Sequence, residues 1–464
     1  MTFVNREREL TFLEQRCASD QAELVVLYGR RRVGKTELLR KFCAGKKHLF
    51  FVADLGTEES QLADFTRQIG EFLAGDPGLL APFASREAAF NFLIAQVNER
   101  LMVVFDELTY LIEVNAAFPF ILQKIWDARL KNTAIMLVLC GSYIGMMEQE
   151  VLAYRSPLYG RRTGQWRLQP FSFWDAQKLL IGVSPETLVY VYAILGGVPA
   201  YLRQYDTRLS LAENIEQRIL TVGTYLYDEP RFLLLQELRE PSRYFAILEA
   251  IAEGRTRSNE IAQASGVAVT SLSFYLKTLQ ELGLIERCVP ATERHPEKSK
   301  LGIYQMADPY FRFWFRFVYP NRSLLERGET SSVLHKIMAE LDQFTGLAFE
   351  GICREYVWRL HAAGHLAFTP QAVGRWWNRQ EEIDVLAVGQ SDSLLGECKW
   401  SSKMVGENIM DDLLRKANAL TSEQAQQQMH YILFARSGFT SALQTRSQRD
   451  GVRLITLGEL LENS

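Results

Sequence analysis

Two sets of residues in this chain of 464 have the types and spacing to do chemistry on phosphates. The first is Gly29, Gly34, Lys35 and Thr36, in the spacing G-x-x-x-x-G-K-T, with Arg30, Arg31, Arg32 and Val33 between the glycines. Glycines let a loop close its backbone N–H groups around phosphates, Lys35 can reach the β- and γ-phosphates, and the Thr36 hydroxyl can ligate Mg²⁺. Asp106 and Glu107 complete that chemistry, one carboxylate holding Mg²⁺ through water and the next orienting or deprotonating an attacking water. The second set is Glu350, Asp384, Glu397 and Lys399. Asp384 and Glu397 can share a divalent metal, and Lys399 can orient a water or steady the charge of a phosphorane. Glu350 can add a ligand or bind metal-bound water.

The surrounding elements must put these groups in place. Leu24 to Leu39 reads as a buried strand, a glycine-bounded loop and the start of a helix, the context that makes the glycine pattern a Walker A loop for ATP or GTP. His48 to Ala53 is a short apolar run consistent with a second strand. Leu101 to Glu107 is apolar until its two final carboxylates, a Walker B strand carrying Asp106 to its C-terminal edge. A glutamate directly after the aspartate points to catalytic-glutamate ATPases with an additional strand rather than to GTPases. A further apolar run, Ala134 to Cys140, ends in Gly141-Ser142, where Ser142 can touch the γ-phosphate or the attacking water. Arg161 and Arg162 read either as an arginine finger or as a solvated basic loop. Gly196, Gly197 and Pro199 end one helix and begin another.

From Ser242 to Met306 the order is helix, turn, helix and hairpin, a winged helix-turn-helix. Ser271, Ser273, Lys277, Arg294, His295, Lys298 and Lys300 are positioned to meet DNA phosphates, while Glu281, Glu286, Glu293 and Glu297 dilute that charge. A packing spacer is the other reading of this segment. The aromatic stripe Tyr310 to Phe315 reads as interdomain core. Beyond it, Phe349 to Val357 reads as a helix, and Glu382–Val388 and Leu394–Trp400 as strands. Alternation puts Glu397 and Lys399 on one face, beside Asp384 if the strands form a hairpin. His361 and His365 lack the glutamate of H-E-x-x-H and read as no metal pair.

A net charge of −3 supplies no global attraction to nucleic acid, so any DNA contact must be local. Six scattered cysteines without metal spacing, and no apolar run of about 18 residues, lead to the expectation of a cytoplasmic protein without zinc or membrane span.

Asn5-Arg6-Glu7-Arg8-Glu9-Leu10 resembles the N-R-E-x-E-L box that precedes the P-loop of AAA+ and STAND-type ATPases, where it lies against the adenine. Gly196-Gly197-Val198-Pro199-Ala200-Tyr201-Leu202 resembles their G-G-x-P-x-x-L element, whose proline packs near the base. The resemblance, over residues 1 to about 235, implies Asn5, Arg6 and Pro199 as nucleotide contacts and Ser142 as sensor. Glu350, Asp384 and Glu397-x-Lys399 resemble the PD-(D/E)xK restriction-endonuclease-like fold of the Holliday-junction-resolvase sort, with Ile383 in place of the usual proline.

The expected fold class is α/β. It comprises a P-loop parallel sheet at 1–165, a helical lid at 166–235, a winged helix-turn-helix at 236–325 and a restriction-endonuclease-like domain at 326–464. The expected cofactors are ATP and Mg²⁺, and the expected partners are ATP or ADP and DNA, with homo-oligomerisation open. The expected function is an ATPase whose nucleotide state controls a metal-dependent DNA nuclease-like domain. The alternative is a signalling or regulatory STAND-type ATPase whose C-terminal domain binds DNA or protein without cutting.

Overall fold

The computed structural model describes residues 3–238, 240–420 and 427–462. The chain divides into two compact units, Met1–Pro170 and Phe171–Ser464. Among the described residues no helix is long and apolar enough to cross a membrane.

The first unit is built on β1 (Glu23–Tyr28), β2 (His48–Val52), β3 (Leu101–Asp106), β4 (Ile135–Gly141) and β5 (Gly164–Arg167). Their order is β2-β3-β4-β1-β5, and every pair is parallel. Every residue of β1, β3 and β4 is buried, as their unbroken apolar runs require of a parallel sheet covered on both faces. Phe51, Phe65, Phe90 and Phe105 pack together on one face, and Val25, Leu27, Leu38 and Phe42 on the other. Because the strands run parallel, the residues that follow β1, β3 and β4 all emerge at one edge. β4 lies between the strands that carry Lys35 and Asp106, so the additional strand is the one ending in Gly141 and Ser142.

The second unit, Phe171–Ser464, takes in residues 171–235, 236–325 and 326–464 together. The helix Pro185–Leu195 stops at Gly196, whose φ of +64° suits glycine, and Pro199 opens the next helix, Pro199–Leu202. Helices Pro241–Ala252, Ser258–Ser265 and Val269–Glu281 precede an antiparallel hairpin of β6 (Ile285–Cys288) and β7 (Ile303–Met306). Arg287 ties the loop between those strands, donating to the Pro296 carbonyl at 2.6 Å and to that of Ser299. The aromatic stripe is core within this unit: Phe311, Phe313, Trp314 and Phe315 are buried, and Trp314 Nε1 donates to the Tyr227 carbonyl at 2.7 Å.

The 33-residue helix Thr330–Ala362 then leads to a mixed sheet of order β12-β11-β10-β9-β8. Its strands are β8 (Ala372–Trp377), β9 (Glu382–Val388), β10 (Asp392–Lys399), β11 (Gln428–Ala435) and β12 (Arg453–Thr456). The first three form an antiparallel meander, and the last two add in parallel.

Gly197 lies against backbone: a Cβ there would stand 1.8 Å from the Phe171 carbonyl oxygen, at the point where Phe171 N–H donates to the Gly197 carbonyl at 2.7 Å. Gly197→Ala is therefore expected to destabilise the second unit by about 1–3 kcal/mol. Urea unfolding checks this, and an unchanged midpoint contradicts the packing described.

Candidate nucleotide site and C-terminal carboxylate site

The loop after β1 is shaped by close approach and by left-handed backbone. A Cβ on Gly29 would fall 2.4 Å from the Leu168 carbonyl oxygen, and Gly34 has φ +92° immediately before the helix Lys35–Cys43. Arg32, at φ +73°, shares that left-handed geometry. Lys35 is buried, and its Nζ donates to the carbonyls of Gly29 at 2.9 Å and Arg30 at 3.0 Å, which folds the ammonium into the hollow of the loop. The helix N-terminus and the loop N–H groups converge on the same hollow, an arrangement suited to phosphate oxygens.

The residues at this edge of the sheet are joined by hydrogen bonds. Thr36 Oγ1 donates to Asp106 Oδ2 at 2.6 Å, and Asp106 Oδ1 accepts the Glu107 N–H at 3.0 Å. Glu107 sits at φ +53°, a conformation costing a non-glycine residue about 1–3 kcal/mol and found at functional sites. The Ser142 hydroxyl donates to the Glu107 carboxylate, so the residues expected as sensor and base are in direct contact. Arg6 is buried and reaches the same loop. It donates to the Val33 carbonyl at 3.1 Å and the Gln169 carbonyl at 2.8 Å, from a left-handed turn it shares with Asn5. Arg31 donates to the Tyr110 hydroxyl at 3.2 Å.

Arg161 and Arg162 are placed differently from a finger acting within this chain. Thr163 N–H donates to the Leu24 carbonyl at 2.8 Å, so the two arginines leave the sheet at the N-terminal end of β1, opposite the phosphate loop. Arg161 makes a two-pronged pair with Asp127 at 2.9 and 2.7 Å, and Arg162 donates to the Leu152 carbonyl at 2.7 Å. Another cation at the phosphate-loop end of the sheet is Arg167, in register with Tyr28 and 3.5 Å from Glu148. Sequence reading missed it because β5 is four residues long and its outward alternation carries little signal. Pro199 belongs to the second unit, where it is buried at the start of its helix.

In the C-terminal sheet the decisive feature is a bulge. Between the pairs Gly374–Leu386 and Trp376–Ile383, β9 spends three residue steps where β8 spends two. Asp384 and Val385 together oppose the single residue Arg375, and a bulge of this kind re-aims a side chain. The Asp384 carbonyl takes a hydrogen bond from Arg354 at 2.9 Å, and its carboxylate accepts the Cys398 N–H at 2.9 Å, across the hairpin the alternation implied. Glu397 is buried, and Lys399 approaches it at 3.5 Å. A second ammonium, Lys416 on the helix Glu407–Ala417, holds Glu397 more closely at 2.7 Å. Glu350 lies 3.5 Å from Arg354 and 3.6 Å from Arg375. Lys416, Arg354 and Arg375 are cations the sequence reading did not include. Arg354 lies four residues after Glu350 on one helix, a spacing visible in the sequence, whereas Arg375 and Lys416 are brought near the carboxylates only by the fold.

Burial is the main cause pushing the Glu350 carboxyl above the ordinary carboxylate range, followed by the charge of Asp384, against Arg375 and Arg354. Glu397 is also raised, by burial and then by its hydrogen bond and charge repulsion with Asp384, against Lys399 and Lys416. Clustered carboxyls in a shielded place share protons in this way. Among the described residues no group of three or more His, Cys, Asp or Glu side chains is arranged to hold a metal ion. The carboxylates are compensated by cations instead.

Known proteins match the chain in three segments. A family described as an ATPase domain predominantly from Archaea matches residues 3–205, an IclR helix-turn-helix domain matches 241–287, and a family of archaeal and bacterial proteins of unknown function matches 314–419. An uncharacterized protein of Methanocaldococcus jannaschii is 36% identical over 419 residues, spanning 89% of this chain and 92% of its own. An uncharacterized ATP-binding protein of the same organism is 58% identical over 45 residues, 10% of this chain and 76% of that protein. The Walker-type ATPase of Pyrococcus abyssi covers 68% of this chain and 96% of its own at 23% identity, with a TM-score of 0.49.

Replacing Glu107 by Gln is expected to leave ATP binding in place and slow hydrolysis by about 10²–10⁴, the range for loss of a general base. Lys35→Ala is expected to weaken binding as well. Nucleotide titration and phosphate release separate the two effects, and hydrolysis at the wild-type rate in Glu107→Gln excludes Glu107 as the base.

Proposed function

Because the chain belongs to the family of archaeal-type ATPases, we propose that it hydrolyses ATP at the edge of its first sheet, engages DNA, and uses nucleotide state to control a metal-dependent nuclease domain at its C-terminus. The observation that carries the ATPase reading is the continuous chain Thr36–Asp106–Glu107–Ser142, two hydroxyls and two carboxylates gathered where three neighbouring strands end. Lys35 and the loop N–H groups neutralise phosphate charge, Glu107 takes the proton of the attacking water, and Ser142 holds that carboxylate in orientation. Thr36 and Asp106 offer two oxygens side by side, which fits Mg²⁺, an ion that takes one or two protein oxygens and completes its shell with phosphates and water. Mg²⁺ there would neutralise charge on the β- and γ-phosphates.

The nuclease reading is supported by the antiparallel meander β8 to β10, the long helix beside it and the bulge that turns Asp384 toward β10. Asp384 and Glu397 are the pair that would hold a divalent ion, which would supply Lewis-acid activation of a phosphodiester. Lys399 would orient the attacking water. The winged-helix segment, with the match to an IclR helix-turn-helix domain, supports DNA as partner.

A second reading is favoured by one observation. Glu397 is already held by Lys416 at 2.7 Å and approached by Lys399, a compensation that suits a domain binding DNA or protein without cutting it.

The two readings differ in a direct assay on linear, single-stranded and branched DNA with Mg²⁺ or Mn²⁺, with and without ATP. The nuclease reading expects cleavage that Asp384→Ala abolishes and an ATP effect that Lys35→Ala removes. No cleavage of any substrate, with ATP hydrolysis intact, replaces it by the binding reading.

A further inference from the structure

The helix that carries Glu350 also walls a cleft of about 240 Å³. Glu340, Gln343, Phe344 and Leu347 line it from that helix, and Arg312 and Arg316 face them from the aromatic segment. The lining positions recur at the three- and four-residue steps of one helical face, and the next steps along that face are Glu350 and Arg354. At 1.5 Å per residue, Leu347 is about 5 Å along the axis from Glu350.

Arg312 is the group this cleft leaves unsatisfied. Its Nη2 donates to the Phe344 carbonyl at 3.2 Å, and its guanidinium carbon stands 4.2 Å from the centroid of the Phe344 ring. Its Nε is shielded from solvent and has no hydrogen-bond partner among the described residues. A guanidinium offers five N–H donors, and burying a cation without partners is costly. Burial pushes Arg312 down to about 10, with Glu350 the carboxylate that works against this. Arg316 pairs with Glu340 at 2.9 Å. Among the residues lining the cleft, two guanidinium groups stand against one carboxylate, an excess of one positive charge that Glu350, outside the lining, offsets in part.

We propose that this cleft binds a single phosphodiester group of a DNA strand, held by Arg312 and Arg316 and presented on the same helix face as Glu350. A phosphodiester carries one negative charge, matching the excess among the lining residues, whereas a phosphate monoester carries about −1.5 to −2 and would meet the Glu340 carboxylate. Phosphate contacts of this type fix the register of a strand rather than read its bases. The position along the strand relative to Asp384 and Glu397 rests on the nuclease reading; the binding itself does not.

The test is a fluorescence-anisotropy titration of the full chain with labelled duplex DNA at several salt concentrations, in chelator and without nucleotide. Arg312→Gln and Arg316→Gln are each expected to weaken binding several-fold and to reduce the log–log salt slope by about 0.9, the value for one phosphate contact. Glu340→Gln is expected to tighten it. Arg316 and Glu340 are partly exposed, so their variants decide the matter even if Arg312→Gln fails to fold. Wild-type affinity and slope in both Arg316→Gln and Glu340→Gln overturn the proposal. If the wild type cuts no DNA while the arginine variants still lose affinity, the nuclease reading falls and the cleft stands.

Discussion

The hydrogen bond from Thr36 to Asp106 spans two strands that are not neighbours, because β4 runs between them. It forms only if β1, β3 and β4 keep parallel register and end together. Most of the first unit serves that condition. Phenylalanines from β2, β3 and the helices Glu58–Ala74 and Arg86–Gln96 seal one face, and apolar side chains from the loop helix seal the other. The sheet edge then presents two hydroxyls and two carboxylates linked by hydrogen bonds, with the Lys35 ammonium folded into the adjoining loop. The left-handed Glu107 is the local strain accepted for that convergence.

The second unit reaches its carboxylate site by another device. A regular β9 would keep the Asp384 carbonyl in the ladder. The bulge frees that carbonyl for Arg354 and lets the carboxylate cap the Cys398 N–H. Cations then gather around the buried acids from three elements: Arg354 on the long helix, Arg375 on β8 and Lys416 on the helix Glu407–Ala417. A buried carboxylate must be protonated, paired or metal-bound, and these cations supply pairing. The same helix face carries an acid site at Glu350 and, a turn or more earlier, a cleft with an excess of positive charge.

Much of this was legible in the residues. The glycine–lysine–threonine spacing, the apolar runs ending in Asp106-Glu107 and Gly141-Ser142, and the helix-turn-helix and hairpin pattern each sit where local periodicity placed them. Gly196 and Pro199 ended and began helices as their backbone preferences require. Arg161 and Arg162 were ambiguous because a basic pair in a loop looks alike at either edge of a sheet, and only the Thr163–Leu24 pairing separates the edges.

What the sequence by itself determined was therefore local: a phosphate loop, the strands that flank it, the turn chemistry, and the order of acids and lysine in the C-terminal segment. These depend on φ preferences, side-chain alternation and apolar runs, which act over a few residues. Tertiary structure decided which strand lies between Lys35 and Asp106, which way Asp384 turns, and which cations meet Glu350 and Glu397. It also decided that the Arg312 Nε would be shielded from solvent with no hydrogen-bond partner among the described residues. Those outcomes depend on register, on one extra residue in a strand and on desolvation by distant segments, none of which has a signature in neighbouring residues.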